Sequence, residues 1–174
     1  MKLKTQWILR IFVLLIAFLV TPVYMFSENV QKDRTAKEFY LKDLQSKKKR
    51  LSDFRGKVVV LNFFATWCYP CRQEIPELIK IYQQNKKKGL VVLGISLDAE
   101  ESSFMLHNFV RVLKIPYPIL IGTETVVEDY QIFGVPTTFV VNKEGKIYKR
   151  FDGWVPPMHF ESALKDLLEK NPGS

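Results

Sequence analysis

Apolar runs of two kinds alternate along the chain and predict its secondary structure. The runs at Val58–Phe64 and residues 90–97 are almost continuously apolar and rich in β-branched residues, which is typical of strands buried on both faces of a mainly parallel sheet. Residues 68–88, between them, predict one long helix. Its apolar face is formed, at helical spacing, by Ile75, Leu78, Ile79 and Tyr82.

The flanking segments predict shorter elements. Upstream, a short strand near residues 39–44, a turn at 45–49 and a helical turn at 51–54 form a leading hairpin. The downstream elements are, in chain order, a helix at 101–113, a strand at 119–122, a helix at 124–130, strands at 137–141 and 146–150, and a helix at 157–170. This order of strands and helices indicates an α/β fold with helices on both faces of one sheet.

The N-terminal apolar run, residues 7–26, has about the length that spans a bilayer. Lys2, Lys4 and Arg10 are basic, and the first ten residues contain no acidic one. By the positive-inside rule, the N-terminus stays in the cytoplasm and the body is exported. Because the run ends without an A-x-A-like cleavage site, an uncleaved anchor at residues 1–26 is favoured over a cleaved signal peptide. Either one exports the body.

The rest of the chain divides into a short linker and one domain. Residues 27–38 are polar, with charges of alternating sign, and are interpreted as a linker. Apolar periodicity begins at Phe39 and continues into the C-terminal helix, so one domain is expected at residues 39–172. A domain of this length can bury a substantial core.

The basic charge of the chain has a plain explanation. The 174 residues carry a formal net charge of +8. The lysines, however, fall into separate clusters, including one at residues 47–50 in a predicted turn and one at 86–88 where a helix ends. Positive charge is favourable at a helix C-terminus. The lysine clusters are not accompanied by any nucleic-acid-binding motif of the usual kinds. Nucleic acid is therefore not an expected partner.

The cysteine content points to redox chemistry. The chain has two cysteines, Cys68 and Cys71, three positions apart. A disulfide scaffold would need more cysteines, and a structural zinc site would need two further ligands. His107 and His159 do not supply the spacing for such a site. We therefore expect no metal and no cofactor, and the two cysteines are most simply a redox pair.

A strand followed by a turn and a helix places Cys68 at a helix N-terminus. Free amide groups and the helix dipole favour an anion there, so Cys68 is expected to be the nucleophilic thiolate. Cys71 lies one turn further on the same face, within disulfide reach of Cys68, and is expected to resolve the mixed disulfide. Pro70 restricts the backbone between the two sulfurs, and Trp67 would shield one side of the pair.

The residues around this pair carry a family resemblance. WCYPC at 67–71 lies between LNFFAT at 61–66 and RQEIP at 72–76, with LSDFRGK at 51–57 and FGVPTTF at 133–139. The combination resembles the TlpA/ResA branch of the thioredoxin superfamily over nearly the whole exported body. The resemblance implies a thioredoxin-like fold, in which helices flank a central mixed sheet. An N-terminal β-hairpin extends the fold, and here one transmembrane helix would precede it.

The resemblance implies a substrate-binding surface around the cysteines. Pro136 stands where the superfamily has a cis-proline against the disulfide, so the Val135–Pro136 bond is expected to be cis. The backbone there would pair with an extended substrate chain. Trp67, Tyr69 and Pro70 complete the expected substrate-binding set. Tyr69 departs from the acidic residue that ResA-like members often carry at this position.

The resemblance also implies a third catalytic residue. Glu74 lies one turn beyond Cys71, and in this branch that glutamate adjusts thiol protonation and proton transfer. Burial would raise its pKa and suit it to that role. Asn62 occupies the position of a buried aspartate in thioredoxin itself. This departure leaves Glu74 as the expected carboxyl group of the site.

The function implied is that of a thiol–disulfide oxidoreductase anchored by one helix in a bacterial cytoplasmic membrane, with its domain outside the cytoplasm. The family suggests a reductase that keeps the haem-binding cysteines of apocytochrome c reduced and receives electrons from a membrane thiol carrier of CcdA or DsbD type. An oxidase or isomerase of DsbA type remains open, although residues 97–119 are too few for the helical insertion of that group. A copper-assembly protein needs C-x-x-x-C spacing and a peroxidase needs P-x-x-x-T-x-x-C, and the chain has neither.

Overall fold

The computed structural model of the chain describes residues 34–99 and 103–169. The strands in these segments are β1 (Tyr40–Lys42), β2 (Lys48–Arg50), β3 (Val58–Phe64), β4 (Leu90–Ser96), β5 (Ile119–Ile121), β6 (Thr137–Val141) and β7 (Ile147–Asp152). The α-helices are α1 (Tyr69–Asn85), α2 (Ser103–Val112), α3 (Glu124–Asp129) and α4 (Pro157–Glu169). Two short 3₁₀ helices are found at Leu51–Phe54 and Lys86–Lys88.

Five of these strands form one mixed sheet in the order β5-β4-β3-β6-β7. β3 pairs in parallel with β4, from Val58 opposite Leu90 to Phe64 opposite Ser96. On its other side β3 pairs antiparallel with β6. β3 is therefore the central strand and is buried along its whole length. Its carboxyl end delivers the chain directly to Cys68 at the middle of the sheet edge.

Each face of this sheet has its own apolar core, because the side chains of β3 alternate between the faces. Val58, Val60 and Phe64 belong to the cluster that contains the buried residues of α1, α2 and α4. Val59, Leu61 and Phe63 belong to the opposite cluster, with residues of α3 and of the β1–β2 hairpin. The predicted α/β fold with helices on both faces is therefore found in the structure.

The end of the predicted linker packs against the domain. Thr35 forms a β-bridge with Lys146, and the buried Ala36 donates its N–H to the Gly145 carbonyl at 2.9 Å. Tyr130 of the α3 end donates its hydroxyl to the Lys37 carbonyl at 2.6 Å. These contacts fasten the chain that precedes β1 to the domain, before the domain start expected from apolar periodicity. The polar character of residues 27–38 gave no indication of these contacts in the sequence.

The predicted anchor at residues 1–26 lies outside the described residues. Among the helices that are described, from residue 34 onward, none has the length and apolar character needed to cross a membrane.

Most predicted element bounds agree with the structure, with two differences. Strand β2 (Lys48–Arg50) begins inside the turn predicted at residues 45–49, and the long helix ends earlier than predicted. The predicted helix at 68–88 is α1, which ends at Asn85 and is followed by the tighter 3₁₀ turn at Lys86–Lys88. Gly89 then adopts a φ of 92°, a left-handed conformation that glycine accepts without steric cost. The chain can therefore reverse directly into β4.

Candidate active site

The two cysteines form a disulfide at the start of α1. The sulfur atoms are 2.05 Å apart and the Cα atoms 5.3 Å apart. Cys68 is 4% exposed, whereas Cys71 is fully buried. Cys68 is therefore the more accessible sulfur of the pair.

Cys68 is the N-cap residue of α1. Its sulfur accepts a hydrogen bond from the Cys71 N–H at 3.2 Å, and Pro70 falls in the first turn of the helix. Because free N–H groups and the helix dipole favour a negative charge at this end, the reduced form of Cys68 is set up to be a thiolate. The sulfur that the helix N-terminus favours as a thiolate is therefore also the more accessible sulfur of the pair.

The loop before β6 faces the disulfide. The Val135–Pro136 peptide bond is cis, as the resemblance implied. Cys68 Sγ lies 3.5 Å from the Val135 carbonyl oxygen. The loop is held from behind, since the Gly153 N–H donates to the Pro136 carbonyl at 2.8 Å and the Thr137 hydroxyl donates to the Gly134 carbonyl at 2.8 Å. A fixed backbone edge therefore borders the nucleophile.

Glu74 is buried on the inner face of α1, with 1% of its surface exposed. Its Oε2 atom accepts hydrogen bonds from Asn62 Nδ2 at 2.7 Å and from the Thr138 hydroxyl at 3.3 Å. Burial raises the pKa of Glu74 to about 7, although the hydrogen bonds from Thr138 and Asn62 act in the opposite direction. A carboxyl group that titrates near neutral pH is thus one helical turn from Cys71.

Large apolar side chains surround the cysteines on the surface. Trp67 and Tyr69, expected to bind substrate, are both exposed beside the buried pair. Phe133 is 92% exposed in the loop that leads to Pro136. The local sequence pattern does not identify Phe133 as a site residue. The sequence feature that could have indicated its role is its position three residues before Pro136, outside any strand or helix.

Asp98 is a second residue of the site region that the local sequence pattern does not identify. It follows β4 and accepts hydrogen bonds from the Thr66 N–H at 3.0 Å, the Thr66 hydroxyl at 2.7 Å and the Ser96 hydroxyl at 2.7 Å. Arg72 of α1 donates to the Thr66 carbonyl at 2.9 Å. Both contacts hold the loop that carries Trp67 and Cys68. Its role could have been suspected from its position, because it is a carboxylate at the carboxyl end of a strand parallel to β3. Functional sites of open α/β sheets generally lie at this edge.

A groove of about 450 Å³ adjoins this loop. It lies between Trp67 and Arg72 on one side and α2 on the other, where Phe104, Met105 and Val112 contribute apolar surface. These three side chains are exposed in spite of their size. The apolar surface around the disulfide therefore extends towards α2.

The two histidines lie apart from this chemistry. His107 is exposed on α2, where its Nδ1 lies 2.8 Å from the Ser103 carbonyl oxygen, and His159 is exposed on α4. Within residues 34–99 and 103–169, no group of three or more histidine, cysteine or carboxylate side chains is arranged to hold a metal ion.

The fold and the site together define a class of protein. A C-x-x-C disulfide at a helix N-terminus, after the central strand and opposite a cis-proline, is the site of a thiol–disulfide oxidoreductase with the thioredoxin fold. The sequence matches the AhpC/TSA family over residues 33–150, and the chain belongs to that family.

Similar proteins carry the same activity in their names. The chain is 33% identical over 172 residues to the thiol-disulfide oxidoreductase ResA of Bacillus thuringiensis subsp. konkukian, covering 94% of this chain and 98% of the relative. It is 32% identical over 175 residues to the ResA of Bacillus subtilis, covering 97% and 94%. The enzyme is therefore a thiol–disulfide oxidoreductase of ResA type.

Solved structures agree on the fold. The structure of a thiol:disulfide interchange protein from Chlorobium tepidum matches with a TM-score of 0.71 at 26% identity, over 79% of this chain and 97% of that one. The thioredoxin domain of a thiol-disulfide oxidoreductase from Bacteroides vulgatus matches with a TM-score of 0.70 at 27% identity, over 78% and 97%.

Proposed function

We propose that the protein reduces disulfides in exported proteins, including apocytochrome c, from an anchor in a bacterial cytoplasmic membrane. The observation that carries the reducing direction is the buried carboxyl group of Glu74, one turn from Cys71 on α1. Negative charge near a thiol disfavours its thiolate. Since stabilisation of the reduced form makes a pair oxidising, as in DsbA, a carboxylate that opposes ionisation of the nearby Cys71 favours a reducing pair.

The reaction starts from the dithiol and ends in the disulfide seen here. The Cys68 thiolate attacks one sulfur of the substrate disulfide, and the other substrate sulfur leaves as a thiolate that takes up a proton. The Cys71 thiol then loses its proton, for which the Glu74 carboxylate is the nearby acceptor, and attacks Cys68 Sγ. The mixed disulfide between Cys68 and the substrate breaks, and the second substrate sulfur leaves as a thiolate that takes up a proton. Two electrons have then passed from the protein to the substrate.

Substrate recognition is proposed to use the surface around Cys68. The backbone at Val135 and Pro136 would pair with an extended substrate segment. Trp67, Tyr69 and Phe133 would contact apolar side chains next to the substrate cysteine. A haem-binding C-x-x-C-H segment, unfolded before haem attachment, is extended and fits this description.

Electron supply and location are the parts of the proposal that rest on the sequence. Lys2, Lys4 and Arg10 before the apolar run at residues 7–26 favour an N-terminus in the cytoplasm and a domain outside it. Exported compartments are generally oxidising, so the disulfide form needs a dedicated donor. A membrane thiol carrier of CcdA or DsbD type, supplied from the cytoplasm, meets that need.

The reduction potential tests the direction of the reaction. The full-length protein is equilibrated with dithiothreitol or glutathione buffers, and its thiols are counted after alkylation. A potential near that of thioredoxin, about −270 mV, or lower supports a reductase. A potential near that of DsbA, about −120 mV, contradicts the proposal and indicates an oxidant of folding proteins.

The substrate is tested separately. Single-turnover reduction of an oxidised C-x-x-C-H peptide is compared with that of a peptide of the same composition in which the two cysteines flank a longer loop. Faster reaction with the haem-binding spacing supports apocytochrome c as a substrate. Equal rates would leave the general reductase activity in place and contradict this specific partner.

A further inference from the structure

Three buried polar atoms on the α1 face of the sheet form no hydrogen bond with any described residue. They are Glu74 Oε1, Asn62 Oδ1 and the hydroxyl oxygen of Tyr117. Tyr117 precedes β5 and is 4% exposed. Buried polar groups without a protein partner are costly and generally bind an internal water molecule. Three such atoms in one region therefore call for a common explanation.

The strand register brings these residues together. Asn62 of β3 lies directly opposite Gly94 of β4. A Cβ atom at Gly94 would lie 3.5 Å from Cε2 of Tyr117, so the tyrosine ring lies beside the residue opposite Asn62. The same ring packs edge-on against Tyr82 of α1, with 5.8 Å between centroids. Tyr117 thus lies between β4 and α1, the helix that carries Glu74.

The electrostatics agree with this placement. The pKa of Tyr117 is raised, first by burial and then by the charge of Glu74. The tyrosine is therefore close enough to the carboxyl group for the two to interact.

We infer that Tyr117 is a positioning residue for the active-site carboxyl group, and that its hydroxyl and Asn62 Oδ1 hold one internal water molecule against Glu74 Oε1. The hydrogen bonds balance when Glu74 is ionised. The water donates to Glu74 Oε1 and to Asn62 Oδ1, and it accepts from the Tyr117 hydroxyl. Each of the three buried atoms then has a partner, within the two to four hydrogen bonds that an internal water makes.

This arrangement gives Tyr117 an effect on the proton affinity of Glu74. A donor that reaches the carboxylate through water favours the charged form, so Tyr117 keeps the Glu74 pKa from rising further. The residues that contact Glu74 from β3 and β6 are Asn62 and Thr138, which do not ionise. On α1, the Cys71 sulfur is held in the disulfide, and α4 contributes apolar residues to this core. Tyr117 is thus the ionisable neighbour that the described residues place there.

The test is the titration of Glu74 in the oxidised full-length protein, followed by carbon-13 NMR of its carboxyl group. Tyr117→Phe keeps the ring and removes the hydroxyl. We expect the titration midpoint to move up by about one pH unit, since a hydrogen bond to a charged group is worth roughly that much. An unchanged or lowered midpoint would overturn the inference, because a tyrosine that only packs would leave the proton affinity of Glu74 as it is.

Tyr130→Phe is the matched control. Tyr130 is also buried, but it belongs to the core on the opposite face of the sheet, and its hydroxyl donates to the Lys37 carbonyl. Its removal should leave the Glu74 midpoint unchanged. A similar rise in both variants would mean that general loosening of the fold, rather than the Tyr117 hydroxyl, is responsible, and would also overturn the inference.

A second measurement needs no variant. A nuclear Overhauser effect between a long-lived water and the Tyr117 ring protons is expected in the wild-type protein, and its absence would refute the bound water. The meaning of Tyr117 for catalysis rests on the proposed function. Because neither measurement uses a substrate or an electron donor, the inference can fail while the proposed function stands, and the reverse is also true.

Discussion

Replacing Glu74 by glutamine should abolish a loss of stability that the wild-type domain suffers as the pH rises. Glutamine has nearly the same shape, and its carbonyl oxygen can accept the hydrogen bonds that Asn62 and Thr138 now donate to Oε2. The variant therefore removes the ionisable proton while keeping the packing of α1 on the sheet. The prediction concerns the free energy of unfolding of the oxidised protein, in which the cysteines do not titrate.

The magnitude follows from the pKa of Glu74. Burial raises it from 4.5 to about 7, and one pH unit of difference corresponds to about 1.4 kcal/mol. Below about pH 4.5 the carboxyl group is protonated in both states, and its effect on stability is fully retained. Between about pH 4.5 and about pH 7 the unfolded chain releases the proton while the folded protein keeps it. Stability therefore falls with rising pH, by about 3 kcal/mol in all.

The assay is urea unfolding of the chain from Glu28 onward, with the disulfide intact, at a series of pH values from 4 to 8.5. The difference between the glutamine variant and the wild type should be small at pH 4. It should grow to about 3 kcal/mol in favour of the variant at pH 8. A wild-type curve that stays flat relative to the variant, or rises, would refute the reasoning that burial of the Glu74 carboxyl group raises its pKa.

Three further predictions concern the exchange reaction and its surface. Cys71→Ser should accumulate a mixed disulfide between Cys68 and a protein substrate on non-reducing gels, whereas Cys68→Ser should trap none. Asp98→Ala should lower the free energy of unfolding in urea by about 2 kcal/mol, because it leaves the Thr66 donors without their charged acceptor, and Asp98→Asn should lower it less. Phe133→Ala should lower kcat/KM for a protein substrate roughly fivefold, the worth of a modest aromatic contact, while the rate with dithiothreitol stays unchanged. Tyr40→Ala, an exposed aromatic on β1, should change neither rate.

The parts of this molecule that the sequence could predict are those encoded by local pattern. Continuous apolar runs predicted β3 and β4, because a strand that is buried on both faces needs apolar side chains at nearly every position. The C-x-x-C pair could be placed at a helix N-terminus because the strand, turn and helix are contiguous in the chain. The cis bond before Pro136 came from the family resemblance, since no local pattern encodes it.

Residues that act across the sheet were harder to predict. Asp98 lies 32 positions from the Thr66 groups that it binds, and only the parallel register of β3 and β4 brings the two together. Phe133 is assigned to the active-site surface because its loop continues to Val135, whose carbonyl oxygen lies 3.5 Å from Cys68 Sγ. In the sequence, nothing distinguishes Tyr117 from an ordinary buried aromatic residue. Its relation to Asn62 and Glu74 becomes visible only in the structure, where its ring lies beside Gly94. In each case the information lies in strand order and register, which a reading of local periodicity does not contain.

The amide of Asn62 affects how the buried carboxyl group of Glu74 ionises. Its Nδ2 lies 2.7 Å from Glu74 Oε2, so an aspartate at this position would put two carboxyl groups within hydrogen-bonding distance. Such a pair would share one proton and titrate in two coupled steps. The amide instead donates to Glu74, which supports its ionised form and opposes the effect of burial. A single carboxyl group is thereby left to ionise near neutral pH, one helical turn from Cys71.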